Sequence, residues 1–299
     1  MKYSSIIAAF ILLLAASCTK EITLPQPDYV GKASIQGFLE PDSLPLVYFN
    51  RTTPFLSATT TTGDLVIRNA VVKVIGNNTT DILKLDSLYD RINCQFDYFY
   101  KGSIKTILNT DYRLEITSSG VFYNATTNTK LSKTVVDSVR YTKTFTDVYG
   151  EHEGVIVYFK DIANEMNYYR YEQFRPVDTS MQHVNLALSI AKSCIGKDTI
   201  NVFEQGRSVY NDANTDGLQQ KIVVEPAYTH REGLETTVKM QTIDKAMYDF
   251  YDQIDKQKLA QYNPFVEPVF LRDGQFGSKA IGFFGCRIRS TAVPFIFPE

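Results

Sequence analysis

The sequence predicts a mainly all-β protein of the sandwich type, with a single amphipathic α-helix late in the chain. Three observations carry this. Apolar and polar residues alternate with period two through most of the chain, as in "YRLEIT", where Tyr112, Leu114 and Ile116 face one way and Arg113 and Glu115 the other. Turn-forming clusters such as "EPDSLP", "GNNTTD", "TSSG" and "EHEG" punctuate these runs at short spacing, which favours sandwiches over parallel β/α units. One stretch only, "TIDKAMYDFYDQIDKQKL", changes to a helical period, with Ile243, Met247, Phe250 and Ile254 on one stripe.

From the N-terminus, Lys2 precedes the apolar run Ile6 to Ala16, which ends in "AASC" at Cys18. That run is too short to span a bilayer, which takes about 20 residues. A charged start, a short apolar stretch and small residues describe a secretory signal, 1–17, and a cysteine after Ala-Ser has the form of a bacterial lipobox. Cys18 is therefore the expected lipidation site and the anchor to a membrane. Residues 18–31, "CTKEITLPQPDYVG", read as an extended tether with two prolines.

Two β-rich domains are expected beyond the tether, at 32–131 and 132–299, on length. "NAVVKVIG" places Ala70, Val72 and Val74 on one strand face. "GVIVYFKD" is β-branched and aromatic through Phe159, and "NYYRYEQFR" sets Tyr169 and Tyr171 against Arg170 and Glu172. The helix is expected over about 242–259. Thr242 is its N-cap, Asp244 sits at the positive end of its dipole, Lys256 and Lys258 are in its last turn, and Asn263-Pro264 stops it. Gly277, Gly282 and Gly285 in "GSKAIGFFGCR" mark turns or bulges around a final strand.

Charge excludes one class of partner. The chain has 31 basic and 33 acidic residues and no basic stripe, so nucleic acid is not expected. Of the cysteines beyond Cys18, an odd three remain, so at least one is unpaired within the chain. Cys94 and Cys286 lie in apolar, strand-like sequence and read as buried small hydrophobes rather than as a disulfide.

Several stretches, in order, carry a family likeness: "KEITLP", "ASIQGFLEPDSLPLVYFNRTTPF", "IRNAVVKVIGNN", "NTDYRLEIT", "TVVDSVRY", "GVIVYFKDIANEMNYYRYEQF" and "NPFVEPVFLRDGQFGSKAIGFFGCRI". Together they resemble the Bacteroidota lipoprotein family called domain of unknown function 4249. The resemblance implies an immunoglobulin-like β-sandwich over 32–131, a second β-rich domain, attachment to the outer membrane, and placement beside a TonB-dependent transporter. It supplies no catalytic residues. In such bacteria, Lys20 and Glu21 after Cys18 point to export to the cell surface, with a periplasm-facing position as the alternative. The sequence departs from the family where Asn109-Thr110-Asp111 replaces a glycine before "YRLEI", which is expected to alter one turn.

Signatures of catalysis are missing. The chain contains no G-x-S-x-G, H-E-x-x-H, P-loop or C-x-x-C pattern, and His152, His183 and His230 have no metal-ligand partner at helical or hairpin spacing. His152, in "EHEG", reads as part of a solvated turn. The sequence thus favours a binding or accessory module over the alternative, a surface enzyme or calcium-stabilised adhesin acting on an extracellular polymer. In "FDYFYKG", Tyr98 and Tyr100 share one strand face and form the candidate stacking site for a ligand, against the simpler reading of a strand with one aromatic side in the core.

No cofactor is implied apart from calcium, at "DANTDG". Asp212, Asn214 and Asp216 would supply oxygens at positions 1, 3 and 5 of a calcium loop, with Gly217 at position 6. Position 12, normally a bidentate glutamate, is Val223, and the nearest acid is Glu225. The flanks read as strands. The stretch is either the turn of a hairpin or a calcium site closed by an acid from elsewhere in the chain.

Overall fold

The computed structural model describes residues 31–53, 61–147, 150–183, 194, 196, 198–262 and 269–298. The signal, Cys18, the tether up to Val30, and Asn263-Pro264 lie outside the described residues. Residues Gly31–Glu299 form one compact unit, and among its described residues no helix is long and apolar enough to cross a membrane.

The protein is mainly β, as the alternation predicts. The first half contains β1 (Ala33–Leu39), β2 (Leu46–Arg51), a short helix α1 (Thr62–Leu65), β3 (Ala70–Gly76), β4 (Thr79–Asp90), β5 (Gln95–Lys101), β6 (Asp111–Ser118) and β7 (Val121–Asn128). β4 makes the sandwich. Its first part, Thr79–Leu83, pairs with β3, and its second part, Lys84–Asp90, pairs with β5. The strand thereby passes from one layer, β3-β6-β7, to the other, β1-β2-β5. Ile35, Val47, Phe49 and Tyr100 from one layer meet Val72, Val74, Leu114 and Ile116 from the other in a single buried cluster. In the turn before β6, Asn109 takes a left-handed backbone, φ 57°, which asparagine tolerates better than most side chains.

The second half contains β8 (Val135–Asp147), β9 (Gly150–Lys160), β10 (Tyr168–Val177), β11 (Ile200–Asn211), β12 (Gln219–Val224), β13 (Glu235–Ile243), α2 (Lys245–Tyr262), β14 (Ala280–Arg289) and β15 (Val293–Ile296). A three-stranded sheet, β12-β9-β8, packs over β11-β10-β13 with β15 beside β13. Val155, Val157, Phe159, Tyr169, Tyr171, Val238, Met240 and Phe297 form this second core. "EHEG" is therefore strand, not turn, because Glu151 and His152 pair across to Thr146 and Phe145 of β8.

Two cores are present, but the boundary expected at 131/132 does not divide them, because Phe276, Ala280, Phe284 and Cys286 belong to the first. Residues Ala280–Cys286 of β14 lie parallel to β1, while Arg287–Arg289 pair with β13. One strand near the end of the chain thus continues the second sandwich into the first, and its Phe284 and Cys286 belong to the first core. Gly282 is required at this seam. It sits opposite Ile35 with φ 121°, and a Cβ there would lie 1.8 Å from the Ile35 carbonyl oxygen. Charge also crosses the seam: Arg289 bonds Glu172 of β10 and Glu40 after β1, and Arg287 reaches Glu40 at 3.3 Å.

Strand β10 corrects the expected alternation. Tyr169 and Tyr171 are buried as predicted, but Glu172, Gln173 and Arg175 are buried too. The register with β11 shifts between Arg170 and Glu172, and α2 covers the other face, with the Arg170 guanidinium 3.6 Å from the Tyr251 ring centroid. Gln173 and Arg175 lie on the same inward face as Tyr169 and Tyr171, and Glu172, on the other face, is covered by its bonds from Gln241 and Arg289.

The helix begins later than its sequence suggests. Thr242 ends in β13, paired with Ile288, and Asp244 takes the N-cap instead, its Oδ1 accepting the Met247 N–H at 3.0 Å. Met247 and Phe250 of the predicted stripe pack on Phe283 and Ile243.

Candidate metal centre and interaction surface

Two loops meet at one end of the second sandwich. The first follows β9 and carries Asp161, Asn164 and Asn167. The second is "DANTDG", which follows β11. Their approach is set by strand register: Lys160 of β9 pairs with Gln219 of β12, so Asp161 arrives beside the end of the second loop. The Asp161 N–H donates to the Leu218 carbonyl at 3.2 Å, and the Gly217 N–H donates to Asp161 Oδ2 at 2.7 Å. Gly217 has φ 69°, and a Cβ there would meet the Ala163 Cβ at 2.8 Å.

"DANTDG" is thus not the turn of a hairpin. β11 belongs to the large sheet and β12 to the three-stranded sheet, so the loop crosses between layers. The sequence shows that both flanks are strands, but which sheet each joins depends on partners elsewhere in the chain.

The metal candidates divide accordingly. Asp212 and Asp216 come together, and Asp161 joins them, with one potential ligand oxygen from each lying within 4.8 Å of the others. Among the described residues this is the one such group of histidines, cysteines and acids. Asn214, on the same loop, is exposed. Glu225 lies beyond the far end of β12 and pairs with His152 Nδ1 at 2.8 Å. Each carboxylate is held by a backbone donor: Asn164 N–H to Asp216 Oδ1 at 2.9 Å, Asn167 N–H to Asp212 Oδ2 at 3.0 Å, and Gly217 N–H to Asp161. Asp161 also accepts from the Tyr169 hydroxyl, whose pKa is pushed up, first by burial and then by this bond. Burial, then the neighbouring Asp161 and Asp216 carboxylates, raise the pKa of Asp212, partly offset by the Asn167 N–H. No sequence pattern marks Asp161, because it stands 51 positions before Asp212 and meets it only through sheet pairing.

The stacking candidates do not form an open platform. Tyr100 is 2% exposed and lies in the first core, with its hydroxyl donating to the carbonyls of Ile67 at 2.7 Å and Arg68 at 2.8 Å. Tyr98 is half-buried, and the Arg68 guanidinium covers its ring at 4.3 Å. Phe99, on the other face, packs on Tyr48. The open aromatic surface lies further out on the same hairpin. Tyr89 and Phe96 are cross-strand partners with ring centroids 5.0 Å apart, and both are exposed, while Leu88, 68% exposed, points to the opposite face of the strand. At the hairpin tip, Cys94 forms a disulfide with Cys194. This corrects the expectation of a buried free thiol at Cys94. The pairing brings together two positions far apart in sequence, and strand pattern alone cannot show that. Cys286 is free and buried, as expected.

No curated protein matches the chain. The model of the domain of unknown function DUF4249 matches residues 19–286, which is nearly the whole chain after the predicted signal. The chain belongs to the DUF4249 family.

Proposed function

We propose that this protein is an outer-membrane-anchored lipoprotein that acts as a binding or accessory module, docking on a TonB-dependent transporter through the β4–β5 hairpin. The observation that supports docking is the exposed apolar surface of that hairpin. Tyr89 and Phe96, 44% and 49% exposed, share one face of the hairpin with ring centroids 5.0 Å apart, and Leu88, 68% exposed, lies on the opposite face. The disulfide ties Cys94, at the tip of this arm, to Cys194, and a crosslinked hairpin tip loses less order on binding. Exposed apolar clusters on a braced element are a common form of protein contact site. The lipobox at Cys18 supplies the anchor, and the tether in 18–31 allows the folded body to reach a neighbour in the same membrane.

The test is purification of the native lipoprotein in mild detergent. Co-purification of a TonB-dependent transporter is expected, with loss of the transporter from a Tyr89→Ser, Phe96→Ser variant that stays folded. A native preparation without any such transporter, or a variant that retains it fully, would remove the reading.

A further inference from the structure

We infer that Asp161, Asp212 and Asp216 bind one calcium ion, which locks the β11–β12 crossover to the end of β9. The acids alone would not carry this; the buried orphan oxygens beside them do. Asp212 is 1% exposed, its Oδ1 is buried with no hydrogen-bond partner, and one of its carboxylate oxygens lies within 4.8 Å of oxygens of Asp161 and Asp216. Asn167 is 5% exposed, its N–H is on Asp212 Oδ2, and its own side-chain Oδ1 is likewise buried without a donor. A buried carboxylate oxygen left unpaired is strongly unfavourable in a protein interior. Among the described residues, no lysine, arginine or histidine forms an ion pair with any of the three acids. A cation supplies the missing partner.

The chemistry selects the ion. All the donors are oxygens, and the three side chains carry three negative charges, which suits a hard divalent cation. Oxygens bound to calcium at about 2.4 Å can lie up to about 4.8 Å apart across the ion, and the observed ligand atoms fall within 4.8 Å of one another. Irregular loops with backbone-held carboxylates suit the adaptable coordination of calcium better than the strict octahedron of magnesium. Asp216 is exposed, so water can complete the shell. The site differs from the linear calcium loop suggested by the sequence: Asp161, from the loop after β9, joins Asp212 and Asp216, and no residue from the position of Val223 is needed. It stands independently of the docking reading.

The test is calorimetric titration of calcium into the full-length protein after metal removal with EDTA, followed by melting in 5 mM calcium and in 5 mM magnesium. One calcium per chain is expected, with a dissociation constant of about 0.1 mM, as in extracellular calcium modules. A calcium-specific rise of about 5 °C in melting temperature should accompany it. Asp216→Asn, at an exposed position that leaves the core intact, should weaken binding at least tenfold, and Asn214→Ala should leave it unchanged. A crystal grown in calcium should place the ion against all three aspartates. The inference is overturned by absent binding, by an equal response to magnesium, by an Asn214→Ala defect as large as that of Asp216→Asn, or by an ion that does not touch Asp161.

Discussion

The Thr127 hydroxyl donates to Asp244 Oδ2 at 2.6 Å, across 117 positions of sequence. Thr127 ends the outer strand of the first sandwich, and Asp244 caps the helix of the second half. The same carboxylate accepts the Cys286 N–H at 2.9 Å on the seam strand and the Met247 N–H at 3.0 Å in the helix. One side chain therefore serves three elements.

That arrangement predicts an unusually costly substitution. Asp244→Ala removes an N-cap, leaves the buried Cys286 N–H unpaired and frees the half-buried Thr127 hydroxyl. The orphaned N–H costs about 1–3 kcal/mol, and the cap and the hydroxyl bond about 1 kcal/mol each, so urea denaturation should show a loss of about 3–5 kcal/mol. Thr127→Val should cost less, about 1 kcal/mol. If Asp244→Ala costs no more than Thr127→Val, the carboxylate is not the joint described above.

Reduction should weaken the fold without exposing the remaining thiol. The Cys94–Cys194 disulfide spans a sequence separation of 100, and a crosslink over a long loop restricts the unfolded chain, typically by about 2–4 kcal/mol. A lower melting temperature is expected in dithiothreitol, and a Cys94→Ser, Cys194→Ser variant should match the reduced protein and be insensitive to the reagent. Cys286 is fully buried and its thiol is pushed up by burial, with Asp244 adding to the effect. It should react with a thiol reagent only after denaturation. Rapid labelling of Cys286 in the native state would contradict this placement.

Glu204 should make stability fall as pH rises. It is buried in the second core, 3.6 Å from Arg175 Nε, and burial pushes its pKa from 4.5 up to about 7 despite that neighbour. Below about pH 4.5 the carboxyl is protonated in both the folded and unfolded states. Between about 4.5 and 7 the unfolded chain loses the proton first, so the native state holds more protons and stability declines across that window. Above about pH 7 the contribution is level. The difference in unfolding free energy between wild type and Glu204→Gln, measured from pH 4 to 8, should carry this slope. A pH-independent difference would show that Glu204 is not the source.

Local pattern made most of the strands legible. Val72, Val74, Leu114 and Ile116 alternate in the sequence and are buried in the fold, because side-chain direction along a strand is a two-residue property. The helical stripe was equally readable at Met247 and Phe250. The cap was less so, since Thr242 and Asp244 are both good N-cap residues and the pairing of Thr242 with Ile288 decided between them. At the candidate metal centre, Asp212 and Asp216 were visible as half a motif, and the third acid was not. At the aromatic run, Tyr100 looked like a binding residue until its strand acquired a second layer to pack against.

The sequence by itself determined the periodicity of the elements, the family and the loop-forming residues of "DANTDG". The tertiary structure decided partners: β14 against β1, Cys94 with Cys194, Asp161 with Asp212, Thr127 with Asp244. The physical reason is range. Periodicity and turn preference arise from neighbours a few residues apart, whereas a strand edge, a thiol or a carboxylate accepts any complementary group, and which one arrives depends on the packing of the whole chain.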